Sequence, residues 1–451
     1  MFKIIFRLIP KEKYLSFYWL LILFIIVGFL ETLGIGLFIP ILNSFSGDSN
    51  LSIPIIENIT DLIFNKINII NFEITIFLIF ISVFILKNLI LLHTLRFQNK
   101  FLQDIFRILS SNLLKKYFNQ DYVFHIKNNS SKLIRNLSSD LLLYQSTLMH
   151  LLVFISKFII VLGIFSLLLM VNFVETIYGI LIFCITYLIF NYFTKSNVVE
   201  WGKKRHFFSG EWIKDLQQSL SSINILKIFN AEKYFISKYN VSISNLTQSA
   251  RKHDNLQGYP RILFETLILI LLTAFCVYFF FLGYKFEAIL TIVSFYLLSA
   301  LRVGPPILHI YNSIITFNFA KKTIFQLGKE FSLKSNQQKI KSKKINFNNT
   351  LILKNINFKY ENNRLRTLNK INLKINKNKF IGIVGASGSG KTTLINIVIG
   401  LLKPDSGKIL VDNLEINNQD KNWINKIGYV PQNTFLLDSS IKENIAFGKF
   451  I

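Results

Sequence analysis

Six runs of apolar residues, each long enough to cross a bilayer, dominate the first two thirds of the chain. They lie at approximately Leu15–Leu42, Phe72–Leu92, Met149–Val171, Val174–Phe193, Arg261–Leu282 and Phe286–Phe317. The hydrocarbon layer takes about 20 helical residues, so each run predicts a membrane-spanning helix. Ahead of them Lys3, Arg7, Lys11 and Lys13 are interleaved with Phe2, Ile4, Ile5, Phe6, Leu8 and Ile9, which predicts a short helix lying on the membrane surface.

The polar segments between the runs are unequal. Asn43–Asn71 carries Asp48, Glu57 and Asp61 against Lys66 alone, whereas Arg96–Asp140 holds Lys100, Arg107, Lys115, Lys116, Lys127, Lys132 and Arg135. A second basic segment runs from Lys195 to Lys252, and the connections near Asn172 and Lys285 are very short. The positive-inside rule places both basic segments in the cytoplasm and the acidic one outside. The basic segments keep apolar residues at helical spacing, such as Phe101, Ile105, Ile108, Leu109, Leu113 and Leu114. Their flanks are therefore expected to prolong the membrane helices by about 30 Å, with tips near Asp121–Phe124 and Ile223–Lys227.

Beyond Phe317 the pattern changes. Lys321–Ser342 is polar and Lys-rich, and from Ile345 short β-type runs follow at Leu351–Leu353, Ile356–Tyr360, Ile371–Ile375, Lys408–Val411 and Ile427–Val430. This predicts a multi-domain membrane protein: an all-α six-helix domain over 1–320, a linker over 321–344, and a partial α/β domain over 345–451.

Composition supports this reading, with 51% hydrophobic residues and a mean hydropathy of +0.42. A net charge of +26 invites a nucleic-acid partner, but the Lys and Arg sit mainly between the apolar runs and in the C-terminal third, so none is expected. Cys184 and Cys276 each lie inside an apolar run, which offers neither a disulfide framework nor a thiolate metal site. The first apolar run exceeds a signal-peptide core and lacks a cleavage pattern, so it is read as a retained helix.

The clearest chemistry lies at Gly385-Ala386-Ser387-Gly388-Ser389-Gly390-Lys391-Thr392, which fits G-x-x-x-x-G-K-[ST]. In that loop small residues let backbone N–H groups wrap the phosphates of a nucleotide. Phe380–Val384 before it is expected to be a buried strand, and Thr393–Ile399 after it a helix. In the membrane half, Lys87, Lys157, Arg261, Arg302, Glu31 and Glu265 are charges inside apolar runs, each costing about 2.5–3.5 kcal/mol unless it faces a cavity or a partner. Lys87, Arg261 and Arg302 are candidates to line a central cavity and neutralise an anionic head group such as a lipid-linked pyrophosphate. Two plainer readings stand beside this: Arg261 and Glu265, at i and i+4, pair with each other, and Lys87 and Lys157 snorkel.

Six spans, two long basic loops and a C-terminal phosphate loop, in that order, resemble an ABC exporter half-transporter over essentially the whole chain. The resemblance implies an ATPase that drives translocation, with ATP and Mg²⁺ as cofactors. Tyr360 matches the family's adenine-stacking aromatic, and Gly385–Thr392 its Walker A loop, with Thr393 beside it. Lys391 would reach the β- and γ-phosphates, and Thr392 would bind Mg²⁺. Gln432, in Tyr429-Val430-Pro431-Gln432, matches the Q-loop glutamine, which contacts Mg²⁺ and the attacking water. Glu31–Gly36, Pro260–Glu265 and Leu301–Pro305 are similar to bacterial flippases for lipid-linked oligosaccharides. A peptide, drug or polysaccharide exporter, or an ATP-binding membrane module without turnover, are the alternatives. The family's signature motif, Walker B pair and switch histidine are not found after Gln432, so the chain is expected to be C-terminally truncated and not to hydrolyse ATP alone. Ile409–Asp412 is read as an ordinary strand, not as Walker B. The resemblance also implies a second subunit, a homodimer by default, in the bacterial inner membrane with the nucleotide domain in the cytoplasm.

Overall fold

The computed structural model describes residues 1–37, 72–171, 173–283, 286–333, 345–360, 365–416, 420–432 and 434–448. The expected outer loop Asn43–Asn71, the end of the first span and the expected linker residues Lys334–Lys339 lie outside the described residues. The chain divides into two compact units, Met1–Phe118 with Asn129–Lys334, and Asn119–Asn128 with Ser335–Ile451.

The first unit is helical throughout its described residues. It contains α1 (Phe2–Leu8), α2 (Tyr14–Gly36), α3 (Phe72–Phe118), α5 (Ser130–Arg135), α6 (Leu141–Val171), α7 (Phe173–Ser221), α8 (Ile223–Ile228), α9 (Glu232–Phe281) and α10 (Phe286–Phe331). Between Phe118 and Asn129 the chain forms α4 (Tyr122–Lys127), which belongs to the second unit. Five helices among the described residues are long and apolar enough to span a membrane. The sixth expected span falls on α10, some of whose side chains lie outside the described residues.

Leu78, Ile81, Ile85, Leu89 and Leu92 of α3 are exposed, as are Leu15, Ile22, Ile25 and Phe29 of α2. Such surfaces suit hydrocarbon and not water. α3, α7, α9 and α10 contain 47, 49, 50 and 46 residues. At a rise of about 1.5 Å per residue each is about 70 Å long, more than twice the hydrocarbon layer. The extensions expected from the sequence are thus present as unbroken continuations. α10 also runs through Phe331, into the stretch expected as linker, and Pro260, Pro305 and Pro306 are carried within helices without ending them.

Within the membrane part, Ile160, Ile164, Phe264, Phe279, Val303 and Tyr311 form one core. Farther along, the extensions meet around a buried polar network. A π turn at Asn136–Asp140 joins α5 to α6 and sets Asn136 and Asp140 fully inside. Asn136 Nδ2 donates to the Tyr117 hydroxyl at 2.9 Å, and that hydroxyl donates to Glu330 at 3.2 Å. Arg135 donates to Asp140 Oδ2 at 3.2 Å, while His206 Nδ1 lies 3.5 Å from Asp140 Oδ1. Hydrogen bonds thus tie α3 to α10 and to the turn after α5, and His206 joins α7 to α10 through Thr323 at 3.4 Å. α7 also meets α10 backbone to backbone, since a Cβ at Gly202 would collide with the Phe319 carbonyl.

The second unit holds a four-stranded antiparallel sheet in the order β2-β1-β3-β4, with β1 Thr350–Phe358, β2 Leu368–Asn376, β3 Ser406–Val411 and β4 Leu414–Glu415. Leu351 faces Ile375 on one side and Val411 on the other; Leu353 faces Leu373 and Ile409. The core of Leu351, Leu353, Ile356, Ile397, Val411 and Trp423 lies against α11 (Lys391–Val398), and Val123 of α4 packs on it. The Trp423 indole N–H, from α12 (Lys421–Ile424), donates to the Val398 carbonyl at 2.8 Å. A last helix, α13 (Ile441–Ile445), begins at Ser440, whose side chain and Glu443 form a capping box.

Two sequence expectations fail in this unit. Phe380–Val384 and Ile427–Val430 form no strand, and Phe380, Val384 and Val430 are almost wholly exposed at 102%, 96% and 89%. A buried parallel strand needs neighbours on both edges and cover on both faces. Among the described residues the sheet contains antiparallel pairs only, and none of its strands pairs with either segment. Asp412, by contrast, has a structural place. With φ of 45° and 70°, Asp412 and Asn413 make the two-residue turn between β3 and β4. The Asp412 carboxylate accepts from the backbone N–H groups of Thr350 at 2.7 Å, Asn349 at 2.8 Å and Asn348.

Two predictions follow from this packing. Gly202→Val forces α7 and α10 apart and costs about 1–3 kcal/mol. A lowered melting temperature of the detergent-solubilised protein is expected, while Gly179→Val, at a site with open space, leaves it unchanged. The backbone donors of Thr350 first, then Asn348 and Asn349, hold the Asp412 carboxyl below its ordinary range. A depressed folded value means that this stabilisation is present above the unfolded value of about 3.9 and is lost as pH falls through the folded one. The difference in melting temperature between wild type and Asp412→Ala should therefore be constant near neutrality and shrink in acid.

Candidate functional site

The loop between Val384 and α11 is shaped by its glycines. Gly388 and Gly390 have φ of +79° and +91°, a region that side chains disfavour. A Cβ at Gly390 would also press on Leu368 at 2.9 Å and on the Thr367 carbonyl at 3.0 Å. The Ser389 N–H donates to the Ala386 carbonyl at 3.2 Å, closing the turn. Gly390 then caps α11 without a side chain, so the N–H groups of the helix's first turn face outward at the positive end of its dipole. Across the loop, Lys391 Nζ donates to the carbonyls of Gly385 and Ala386 at 2.8 Å each. A cation, a helix N-terminus and a backbone nest converge on one point, and the ligand chemistry that this suits is a chain of phosphates.

Thr392 is exposed at the start of α11, where its hydroxyl is accessible, whereas Thr393 is buried. Tyr360 reaches α11, its hydroxyl 3.3 Å from Thr393 Oγ1, and its ring stands edge-on to Phe358 at 4.9 Å. The structure thus sets Gly385, Ala386, Ser387, Gly388, Ser389, Gly390, Lys391 and Thr392 in the loop and the start of α11, with Thr393 buried behind them and Tyr360 reaching the same helix through it. Gln432 lies on an exposed bend; among the described residues no hydrogen bond joins it to the loop.

The membrane half holds a separate cluster of charge. Glu31 of α2 accepts Lys87 of α3 at 2.7 Å and Arg302 of α10 at 3.4 Å. The two cations also share the Phe84 ring, at 4.7 Å for Lys87 and 5.0 Å for Arg302. Lys157 of α6 lies within electrostatic range of both Glu31 and Lys87. Arg261 does not join them. It pairs with Glu265 one turn along α9 at 2.8 Å, and both side chains are exposed. Sequence reasoning singled out both the cations and Glu31 as charges inside apolar runs, but not that Lys87 and Arg302 pair with Glu31, nor that the two share the Phe84 ring. An acid alone in an apolar run signals that a base or a cavity is needed, but not which helix supplies it. Phe84 carries no such signal among so many phenylalanines.

Comparison with known proteins agrees with this division. A family model of the ABC transporter transmembrane region matches residues 17–301, and one of the ABC transporter matches residues 368–449. The chain is 34% identical over 254 residues to an export ATP-binding/permease protein of Rickettsia bellii, covering 52% of this chain and 41% of that protein. A corresponding protein of Rickettsia typhi is 44% identical over 97 residues, 21% of this chain and 17% of its own length. A leukotoxin translocation ATP-binding protein of a Pasteurella haemolytica-like species is 33% identical over 159 residues, 35% of this chain and 22% of its own. The chain therefore matches less than half the length of each of these relatives. Among solved structures, a bacterial Atm1-family ABC exporter with ATP bound superposes with a TM-score of 0.73 at 17% identity, covering 95% of this chain and 73% of that one; this likeness concerns the fold. With the transmembrane family matched over more than half of its length and the nucleotide-binding family after it, the chain belongs to the ABC transporters.

Proposed function

We propose that this chain carries the membrane and phosphate-binding parts of an ATP-driven exporter that moves an amphipathic anionic substrate, such as a lipid-linked oligosaccharide, across the bacterial inner membrane. The observation that carries the reading is the loop at Gly385–Thr392, with Lys391 held across its mouth, in the same chain as a set of membrane-length helices. The donor set fits the nucleotide and its metal. Backbone N–H groups and Lys391 would hold the phosphates, Thr392 with Gln432 would meet Mg²⁺, and Tyr360 would offer its ring to the base. Bound Mg²⁺ offsets charge on the phosphates. Residues 1–331 would form the membrane domain with its helical extensions, and 345–451 part of the cytoplasmic nucleotide domain. A second copy of the chain would complete the transporter.

For the substrate, the supporting feature is the imbalance at Glu31. Three basic side chains, Lys87, Lys157 and Arg302, gather about one carboxylate in a setting where charge is costly. An anionic head group would redress that imbalance, with Arg302, the more exposed of the two cations paired to Glu31, the first to turn toward it. Arg261, neutralised by Glu265 on its own helix, is left out of this set.

Two measurements test these readings separately. Lys391→Ala should weaken binding of a fluorescent ATP analogue to the purified protein by about tenfold or more, since charge-assisted contacts to phosphate are lost; unchanged binding would remove the nucleotide reading. Arg302→Ala should leave ATP-analogue affinity intact and abolish protection of the protein against heat by an anionic lipid-linked pyrophosphate. Equal protection of wild type and variant would sink the substrate assignment alone.

A further inference from the structure

Away from both sites, α1 and the ends of α3 and α10 enclose a groove of about 650 Å³. Its floor is made where α1 crosses α10 so closely that a Cβ at Gly328 would press on Ile4 at 2.8 Å. Its walls carry Arg7 and Lys11 from α1 and the residues after it, Lys116 from α3 and Lys329 from α10, and no acidic side chain lines it. Lys116 is held by the Phe331 carbonyl and lies within electrostatic range of Arg7. Among the described residues Arg7, Lys11 and Lys329 form no ion pair. Of the nearby acids, Asp104 is engaged with Lys13 at 2.7 Å and Glu330 with Tyr117 and Lys132, while Glu12, next to Lys11, is exposed and does not line the groove.

Cations at the C-terminal ends of α3 and α10 have an ordinary explanation in the helix dipoles. That account covers Lys116 and Lys329. The dipole of α1 likewise accounts for Arg7 in its last turn, but not for Lys11, nor for the convergence of cations from three separate elements on one space.

The depth of the groove is set by its surroundings. α1 buries Ile5 and Leu8, the residue after it, Ile9, is buried too, and Tyr144 donates to the Ile5 carbonyl at 3.1 Å, so the helix is fixed to the bundle. Its other face exposes Phe2 and Phe6, and the start of α2 next to it exposes Tyr14, Tyr18 and Trp19. A belt of tyrosine and tryptophan beside half-exposed phenylalanines belongs at head-group level, where one end of each ring is apolar and the other wet. We infer that this groove binds the phosphate of an anionic membrane lipid, entering from the leaflet on which α1 rests, through Arg7, Lys11 and Lys329. The groove is within the ordinary size range of small-ligand sites, and the lipid's acyl chains would remain beside Phe2 and Phe6. The inference stands independently of what the protein transports, because neither the phosphate loop nor the Glu31 cluster takes part.

The test is native mass spectrometry of the full-length chain in detergent, titrated with phosphatidylglycerol and, separately, phosphatidylcholine. Retention of one phosphatidylglycerol at concentrations about tenfold below those needed for phosphatidylcholine is expected. The R7A/K11A/K329A variant should lose that preference altogether, since each cation near a membrane surface is worth about fivefold, and R7K/K11R/K329R should keep it. If the triple alanine variant elutes as an aggregate, Arg7→Gln is measured in its place, with a loss of about fivefold expected. Equal retention of the two lipids, or an unchanged preference in the alanine variant or in Arg7→Gln, overturns the inference. So does displacement of the lipid by millimolar inorganic phosphate, which would assign the groove to the free anion.

Discussion

Hydrocarbon offers no hydrogen bonds to a peptide, and this constraint governs the architecture of the helical unit. A backbone that must satisfy itself within each segment crosses as continuous helix, and here the helices do not stop at the boundary. α3, α7, α9 and α10 extend well past the thickness of the layer. Outside it, apolar packing alone would let such rods slide along one another. The polar network of Tyr117, Glu330, Asn136, Arg135 and Asp140 prevents this by demanding directional contacts, which are satisfied in one register. The π turn at Asn136–Asp140 is the local cost of aiming two polar side chains inward from consecutive turns.

The Glu31 cluster follows the same logic inside the membrane. One carboxylate draws cations from α3 and α10 onto α2, so three helices whose membrane segments are mostly apolar acquire a defined rotation about their axes. Removal of Glu31 would leave Lys87, which is almost fully buried, without its counterion, a larger penalty than the loss of a surface pair.

Much of this was legible in the sequence, and the limits are physical. Apolar runs announce membrane helices because the requirement is one of length and hydropathy, and the phosphate loop announces itself because few residue types tolerate its backbone. Phe380–Val384 misled because an apolar β-type run reports only that burial is favourable, not that the partners for burial are at hand. The partnership of Lys87 and Arg302 through Glu31 was out of reach for another reason: it joins residues 271 apart in the chain, and periodicity carries no information on helix rotation. Asp412 could be set aside as a Walker B residue from its position, but its role as a turn residue holding three backbone donors required the fold.

The hydrogen bonds that Lys391 makes to its own loop have a consequence for selectivity. Because the ammonium is already satisfied by the Gly385 and Ala386 carbonyls, a ligand does not simply add to the site; it must exchange for them. A neutral or singly charged oxygen offers no more than a carbonyl already supplies. An oligophosphate, with several anionic oxygens reaching Lys391 and the outward N–H groups of α11 together, shifts that exchange in its favour. The chemistry of the loop thus favours an oligophosphate over a singly charged anion.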